Sequence, residues 1–570
     1  MKTAASIVAA GLVSAAAMPV LAQESPPLTR NDPTQALPPE AETSEPLESR
    51  RPDAGASDAG SATLGQFTAA RFVGAKALSE ERLRPAWSDM VGREVSMSDL
   101  RAISRRAEQI YAEAGYPFVA VVVQPQAVDG GVIEFTVVEG RITDLTVLGT
   151  DPIARRQAAA AFQPLLDQEP LPADDMQRSY ELARTLPGLS IAGALRRGSK
   201  PGGMDLVVQT RRRSWRGYVN VNNLFSDPVG PWGALIGADF FGGSLYGDQT
   251  SVQLYSTLTD FDEQHVLRLS HSRRINAQGT TLSGSYLLAE ANPAGVVAPL
   301  DLATDVEAFR AEIAHPLIMR ANMTVWGAAA LDWSDQETFV FSSVALTEDK
   351  TRVASIRVNG EWRGDRRTAH FGAELRKGLD IGDASQLGDP LNSRPEGDPE
   401  AVVVRVSADA EAEVAPKWRV FGRFEGQWAD DPLLAPEEYS VGNLSIGRGY
   451  DPGAALGDKA LGVSAELRWG PFPFANGKFR ASPFVFYDGV NYWNEDTFAV
   501  QERWVDSAGL GVRFDMPGRG RLDVTWAHPL RAPLGLGEGT PDDRVLVNFT
   551  ATWDDLADNL FQRARRGNGQ

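Results

Sequence analysis

From residue 212 to residue 555 the chain is written as short segments in which apolar and polar side chains alternate. Leu461, Val463, Ala465, Leu467 and Trp469 share one face, with Gly462, Ser464, Glu466 and Arg468 on the other. Leu510, Val512, Phe514 and Met516 stand opposite Gly509, Gly511, Arg513 and Asp515, and Leu522, Val524 and Trp526 opposite Arg521, Asp523 and Thr525. Val545, Val547, Phe549, Ala551 and Trp553 alternate with Leu546, Asn548, Thr550 and Thr552. A period of two is that of a β-strand with one apolar face. Such segments, about ten residues long and separated by turn residues, are the signature of a transmembrane barrel. A soluble sandwich shows the same alternation, so the connections have to decide. Sixteen strands are predicted, starting near Trp215, Trp232, Thr250, Val266, Thr280, Asp305, Met323, Arg352, Arg367, Ala401, Lys417, Ala460, Phe479, Val505, Gly520 and Asp543. Even-numbered connections are mostly tight turns, at 243–248, 275–279, 364–366, Pro416 and 517–520. Odd-numbered ones include long polar loops, at 292–302, 336–349, 381–399, 430–459 and 491–504. Outer-membrane barrels have short periplasmic turns and long extracellular loops; a sandwich has no reason to sort its loops by parity. An even count also puts both ends of the barrel on the periplasmic side.

Two smaller units precede the barrel, at 66–140 and 141–211, each reading as βααββ. In the first, 67–73 is a strand ended by Gly74, and 78–90 is helical. Ser96, with Asp99 three residues on, opens a second helix by a capping box. Leu100, Ile103, Ala107 and Ile110 give that helix an apolar face, and Gly115 and Pro117 end it. Strands at 119–123 and 132–138 flank Asp129-Gly130-Gly131. The order recurs with a strand at 145–148, helices at 152–166 and 173–186, a stop at Pro187-Gly188, and strands at 189–195 and 205–210. Two such units in tandem indicate a repeated module.

At the N-terminus, Lys2, the small apolar run 4–17 and Val20-Leu21-Ala22 read as a signal peptide over 1–22. Residues 23–65 are rich in Pro, Glu, Ser and Ala and poor in aromatic and β-branched residues, which describes a flexible arm. Residues 556–570 form a polar C-terminal tail. After the signal there is no apolar run of the roughly 18 residues that a membrane helix requires. An exported chain of this kind enters lipid only as a closed barrel. The 56 Lys+Arg against 75 Asp+Glu, net charge −19, argue against nucleic acid as a partner. With no cysteine, disulfides, thiolate metal sites and thiol catalysis are excluded. No nucleophile elbow and no phosphate-cradling loop is present, so an enzymatic step, a cofactor and a metal site are not expected.

The chain resembles the outer-membrane transporters of two-partner secretion, the haemolysin secretion/activation branch of the Omp85 superfamily. In the first unit the matching text is Phe72-Val73-Gly74, Val91-Gly92-Arg93, Ser98-Asp99-Leu100, 111–116 with Gly115-Tyr116, Gln124-Pro125-Gln126, and Val137-Val138-Glu139-Gly140. In the second it is Leu186-Pro187-Gly188, Pro201-Gly202-Gly203 and 205–208. In the barrel it is Glu438, Gly442, Arg448-Gly449-Tyr450, Gly457-Asp458 and Glu466-Leu467-Arg468.

The resemblance implies that both units are POTRA-like domains and that the function is type V, two-partner secretion. The periplasmic domains recognise one partner polypeptide, large and β-helical and encoded nearby, and the barrel exports it, with activation of that partner as a further expectation. Gly115, Tyr116, Gln124, Pro125, Gln126, Glu139 and Gly140 are then expected at the partner-binding domain. It further implies that the sixth extracellular loop folds back into the lumen, where Arg448, with Gly449 and Tyr450, meets Asp488 of strand thirteen, beside Glu466. Read alone, Arg448 is an ordinary solvated loop arginine, and the tryptophans near strand ends are interfacial girdles. Two departures stand out: Gly447 replaces an aliphatic residue, and Val490 stands where the family places glycine. The chief alternative is an Omp85-type barrel-assembly factor, which usually carries three or more POTRA domains. A passive porin has no use for the tandem units.

Overall fold

The computed structural model describes residues 63–554 except 125, 127–129, 167, 201, 227–228, 342, 496–502 and 534–539, together with Thr34 and Glu48–Ser49. The expected signal peptide, most of the arm, Pro125 and the C-terminal tail lie outside the described residues.

In chain order, strand β1 is Glu48–Ser49, β2 is Thr63–Gln66 and β3 is Ala69–Val73. Helix α1 is Glu80–Leu83, β4 is Glu94–Ser96, α2 is Met97–Glu113, β5 is Val119–Val123 and β6 is Val132–Glu139. The region read as one helix over 78–90 is instead a four-residue α1 followed by two short 3-10 turns, 84–86 and 88–90. Pro85 is the physical reason, since it lacks the N–H and its ring crowds the preceding turn. Helix α2 starts as expected: the Ser96 hydroxyl accepts from the Asp99 N–H, and the Asp99 carboxylate accepts from the Ser96 N–H at 2.8 Å. Hydrogen bonds donated by the Ser96 hydroxyl, at 2.6 Å, and by the Ser96 N–H hold the Asp99 carboxyl below its ordinary range. Leu100, Ile103, Ala107 and Tyr111 of α2 are buried against a β3–β6–β5 sheet in which β3 and β6 run parallel.

The second unit runs β7 (Arg141–Leu148), α3 (Pro152–Phe162), α4 (Ala173–Arg184), β8 (Leu189–Arg197) and β9 (Gly203–Arg212). Its sheet has the order β8–β9–β7, and β1 adds to the β8 edge in parallel, Glu48 opposite Ala194. This unit is seated on the barrel's periplasmic turns. Arg156 donates to the Gly243 carbonyl, Gln157 to that of Ser244 and Arg178 to that of Pro316. In the other direction, Arg274 of the barrel donates to the Leu182 carbonyl at 2.8 Å and the Thr185 hydroxyl at 2.7 Å. A buried cation there complements the negative end of the α4 dipole.

The barrel strands are β10 (Trp215–Asn222), β11 (Gly233–Phe241), β12 (Asp248–Thr257), β13 (Gln264–Arg274), β14 (Thr281–Ala291), β15 (Ala303–Arg320), β16 (Met323–Val340) and β17 (Val344–Gly364). They continue as β18 (Arg367–Gly378), β19 (Val402–Ala415) and β20 (Trp418–Ala429). The sixth loop carries the small hairpin β21 (Tyr439–Val441) and β22 (Ala455–Gly457). The ring resumes with β23 (Lys459–Trp469), its short extension β24 (Phe472–Phe474), β25 (Phe479–Trp493), β26 (Arg503–Met516), β27 (Gly520–Pro529) and β28 (Arg544–Asp554). Because β23 and β24 pair along the same neighbour, β25, the ring has sixteen antiparallel staves, and β28 closes on β10. One expected loop is corrected. Residues 336–349 continue the β16–β17 hairpin, which turns tightly near Phe341. Gln336, Thr338, Thr347, Asp349 and Thr351 are all buried there, so the inward face is polar and the alternation carries no apolar signal.

Ile236, Leu254, Ile313, Leu331, Ile356, Leu510 and Val545 are exposed outward, as lipid-facing residues are. Trp362, Trp418, Trp469 and Trp553 mark the periplasmic girdle, and Trp232, Trp333, Trp428 and Trp526 the extracellular one. Ile356 lies between Trp362 on its own strand and the level of Trp333, which faces Arg352. An Ile356→Arg barrel should therefore lose about 2–4 kcal/mol. Urea titration of the heat-modifiable folded band in lipid vesicles reads this; an unchanged midpoint contradicts the assigned lipid face.

Candidate functional site

Loop 430–458 folds back into the barrel. Gly447 carries a φ of +126°, a backbone conformation natural to glycine, which accounts for glycine at this departure. The next residue, Arg448, puts its N–H 3.0 Å and its Nε 2.8 Å from Asp488 Oδ2, with Nη2 2.7 Å from Oδ1. Its Nη1 reaches Glu466 Oε1 at 2.5 Å and its Nη2 the Ser464 hydroxyl at 3.0 Å. The guanidinium lies 3.6 Å over the Phe486 ring. Asp488 is 1% exposed and Glu466 4%, so this is a buried ion network. The planar fork of arginine explains why that residue type suits two carboxylates at once.

Gly449 donates its N–H to the Ser507 hydroxyl at 3.1 Å, and a Cβ at this position would come within 2.6 Å of Ser507. The Tyr450 hydroxyl lies 2.8 and 2.6 Å from the carbonyls of Asp506 and Arg531, and its own carbonyl accepts from Arg544. At the second departure, Val490 is buried, while Gly489 lies directly under the Trp504 ring.

Glu466 is the hub of the site. Besides Arg448 it accepts from Arg468 Nε at 2.7 Å and from Arg513 at 2.7 and 3.0 Å. Arg513 stacks 4.2 Å over Phe484, and Arg468 4.1 Å over Phe421. Arg513 and Ser464 were not singled out from the sequence. The available signal was parity, since both sit on the polar faces of their strands. A second attachment holds the neck of the loop. Glu437 is gripped by Arg376 at 2.7 Å and Arg405 at 2.9 Å. Arg394, from loop 379–401, bonds Glu438 at 3.0 Å, the Leu433 carbonyl at 2.9 Å and both oxygens of Asp458. Sequence reasoning missed Arg394 altogether, because its partners are 44 and 64 residues away.

The residues expected at the partner-binding domain fall into two groups. Gln124 and Gln126 are exposed. The Gln126 amide pairs with both backbone groups of Glu134, at 2.7 and 2.9 Å, in the manner of a further strand residue. Gly115 and Gly140 stand at the seam where the first unit meets the second, and Glu139 is a buried anchor inside the first unit. Glu139 is buried and accepts from the N–H groups of Lys76 and Ala77 and from the Tyr111 hydroxyl. Its hydrogen bond and charge, after burial itself, push the Tyr111 hydroxyl up. The Gly140 carbonyl accepts from Leu171 and the Gly115 carbonyl from Ala173, both at 2.9 Å. Gly115 has a φ of +94° at the end of α2, and Tyr116 packs on the core of the first unit. Across the same seam, Lys76 and then Arg141 hold the Glu169 carboxylate below its ordinary range.

A closed sixteen-stranded barrel whose sixth loop is locked inward, behind periplasmic α+β units, is the architecture of the Omp85 transporters. Residues 202–514 match the model of the haemolysin secretion/activation protein ShlB/FhaC/HecB, and residues 67–140 that of the POTRA domain, ShlB-type. The chain belongs to this family: it is a two-partner secretion transporter of the outer membrane, with its POTRA domain in the periplasm. It is 20% identical over 452 residues to the heme/hemopexin transporter protein HuxB of Haemophilus influenzae, covering 77% of this chain and 79% of the relative. In fold it is similar to CdiB from Escherichia coli, with a TM-score of 0.73 and 17% identity over 94% of this chain and 98% of that one. It is also similar to CdiB from Acinetobacter baumannii, with a TM-score of 0.64 and 13% identity over 95% and 100%.

Breaking a buried ion pair by removing one partner costs about 3–5 kcal/mol. Arg448→Ala and Asp488→Ala should each cut export sharply while leaving the folded, heat-modifiable barrel. The double variant should be little worse than either, because residues of one network do not add. Export assays on all three decide; a silent Arg448→Ala, or fully additive losses, removes the pair from the mechanism. At the seam, a Cβ on Gly140 would sit 2.2 Å from the Phe118 carbonyl. Gly140→Ala should cost about 1–3 kcal/mol through overpacking and expose 139–142 to protease in outer-membrane preparations. An unchanged cleavage pattern would show that the seam gives way freely.

Proposed function

We propose that this transporter captures one secreted partner polypeptide in the periplasm by backbone pairing to the edges of its two POTRA-like domains, and exports it through the lumen. The observation that carries this reading is the β8 edge, which already takes an added strand, Glu48–Ser49, in parallel register. Strand addition binds main chain and tolerates varied sequence, as a carrier of a long polypeptide requires. The second POTRA-like domain, seated on the periplasmic turns, delivers the chain at the barrel mouth. The Arg448–Asp488–Glu466 network anchors the sixth loop inside the lumen, where the loop acts as a gate or structural lock. The partner is a large β-helical protein encoded nearby, and its folding outside the cell draws the chain out.

Removing this protein from its native host should remove one polypeptide from the culture medium. A chain lacking 67–210 should still insert and show heat-modifiable migration, yet fail to restore that polypeptide. Undiminished restoration by the barrel alone overturns capture by the periplasmic domains.

A further inference from the structure

The lumen has two unlike walls. On β15–β20 and β23–β27 the inward positions are charged and already paired with one another: Arg310 with Asp332, Arg376 with Asp332 and Glu437, Arg419 with Glu411, Arg521 with Asp523. On β12–β14 the inward positions toward the periplasm are short and mostly uncharged. Gln249, Ser251, Ser270, Ser272, Ser283 and Ser285 line a cavity of about 250 Å³, bounded on its far side by Arg310 and Glu312. Among the described residues, the hydroxyls of Ser270, Ser272, Ser283 and Ser285 bond no other side chain.

Gln249 also lines a second, larger cavity of about 670 Å³ at the barrel mouth, where α4 contributes Glu181 and Arg184 and the barrel contributes Arg216, Trp326 and Arg363. The two cavities therefore meet at one residue, beneath the domain that would deliver the chain. Farther out, the same wall turns apolar: Tyr255, Val266 and Leu287 cluster with Phe225, and Leu444 of the sixth loop packs on them. Asn443 beside it donates to the Leu224 carbonyl at 2.6 Å. The serine wall is thus open toward the periplasm and closed outward by the very loop that Arg448 locks. It also holds a piece of polypeptide already. Thr34 is buried there, its hydroxyl accepting from Arg268 Nε at 2.9 Å and its backbone carbonyl from the Gln253 amide at 3.4 Å.

We propose that the exported polypeptide crosses the lumen as an extended chain along the β12–β14 wall, from the vestibule at Gln249 to the apolar seal under Leu444. This rests on the export reading above and adds its route. A chain of varied sequence must slide without being trapped. Uncommitted hydroxyls exchange hydrogen bonds with any backbone, each worth only about 0.5–1.5 kcal/mol net. Close charge pairs couple by about 1.5–7 kcal/mol, so an unpaired ionic wall would hold each complementary side chain that passed. The opposite wall avoids this because its charges neutralise one another. At about 3.3 Å per residue, only about eight residues span an apolar band about 25 Å tall, so few such bonds act at once.

The chain contains no cysteine, which makes single-cysteine mapping direct. The probe is the polypeptide lost from the medium when this protein is removed, carrying one cysteine and stalled by a tightly folded domain at its trailing end. Disulfide capture at Ser270→Cys and Ser283→Cys should exceed that at Arg423→Cys and Arg521→Cys by at least about five-fold, as proximity sets effective concentration. Export through Ser270→Trp/Ser283→Trp, in barrels that keep their heat-modifiable migration, should fall at least about tenfold by filling the track. Equal or stronger capture on the charged wall, capture at neither wall, or undiminished export by the tryptophan variant overturns the route. Failure of the export reading itself looks different: no polypeptide is missing from the medium.

Discussion

Seven residue pairs, from Arg216 opposite Asp554 to Asn222 opposite Asn548, join the first barrel strand to the last. Hydrocarbon offers no partner to an unpaired N–H or C=O, and each one left open costs several kcal/mol, so the sheet must close or stay out of the membrane. The side chains at this closure reinforce it. Asn220 and Asn222 are fully buried and bonded to each other, and Asn220 reaches Asn548 and Thr550 at 2.6 and 2.8 Å. Outside, the Trp553 ring lies directly over Gly217. Closure with an even number of staves fixes the rest: β10 and β28 both end at the periplasmic face, the long loops gather at the other end, and the α+β units meet short turns on which they can seat.

How much of this the chain announces depends on whether one face of an element is apolar. Where lipid faces one side, as along β23 or β26, the period of two is plain and the strand starts are read to within a few residues. Where β16 and β17 extend past the membrane, both faces are polar, and a hairpin reads as a loop. Residues 78–90 carry a helical pattern, but Pro85 divides it, which periodicity alone does not register. The meeting of Arg448 with Asp488 came from motif text, not from spacing, since the two are 40 residues apart. Glu139, Gly115 and Gly140 come from the same motif text, and their contacts lie within the first unit and at its junction with the second. Motif text does not separate a residue that touches a partner from one that builds the seam behind it. Arg394 and Arg513 were illegible for a further reason: an inward charge looks like any polar residue until the facing strand is known.

The fate of the sixth loop is a balance between two attachments. Its tip is held by Arg448 against Asp488 and Glu466, and its neck by Arg376, Arg405 and Arg394 against Glu437, Glu438 and Asp458. Both are buried, and both tie the loop to the charged wall. Toward β10–β14 the loop makes contacts of another kind, apolar packing at Leu444 and an amide bond at Asn443, while Asp451 and the Tyr450 carbonyl are held by Arg544 of the closing strand β28. A loop fastened strongly on one side and weakly on the other has a built-in direction of yielding. It can part from the β10–β14 side, where the cluster around Phe225 is the barrier, while the ionic anchors stay in place as a hinge. Disrupting a buried pair costs about 3–5 kcal/mol, equivalent to a partner binding the open state about 10²–10⁴-fold more tightly than the closed one. Separating an apolar contact costs about 25 cal/mol for each Å² exposed, and a sliding chain that covers the same surface returns much of it. The division of the lumen into a paired ionic side and a short-chained neutral side therefore sets the weaker joint beside the wall with room for a polypeptide.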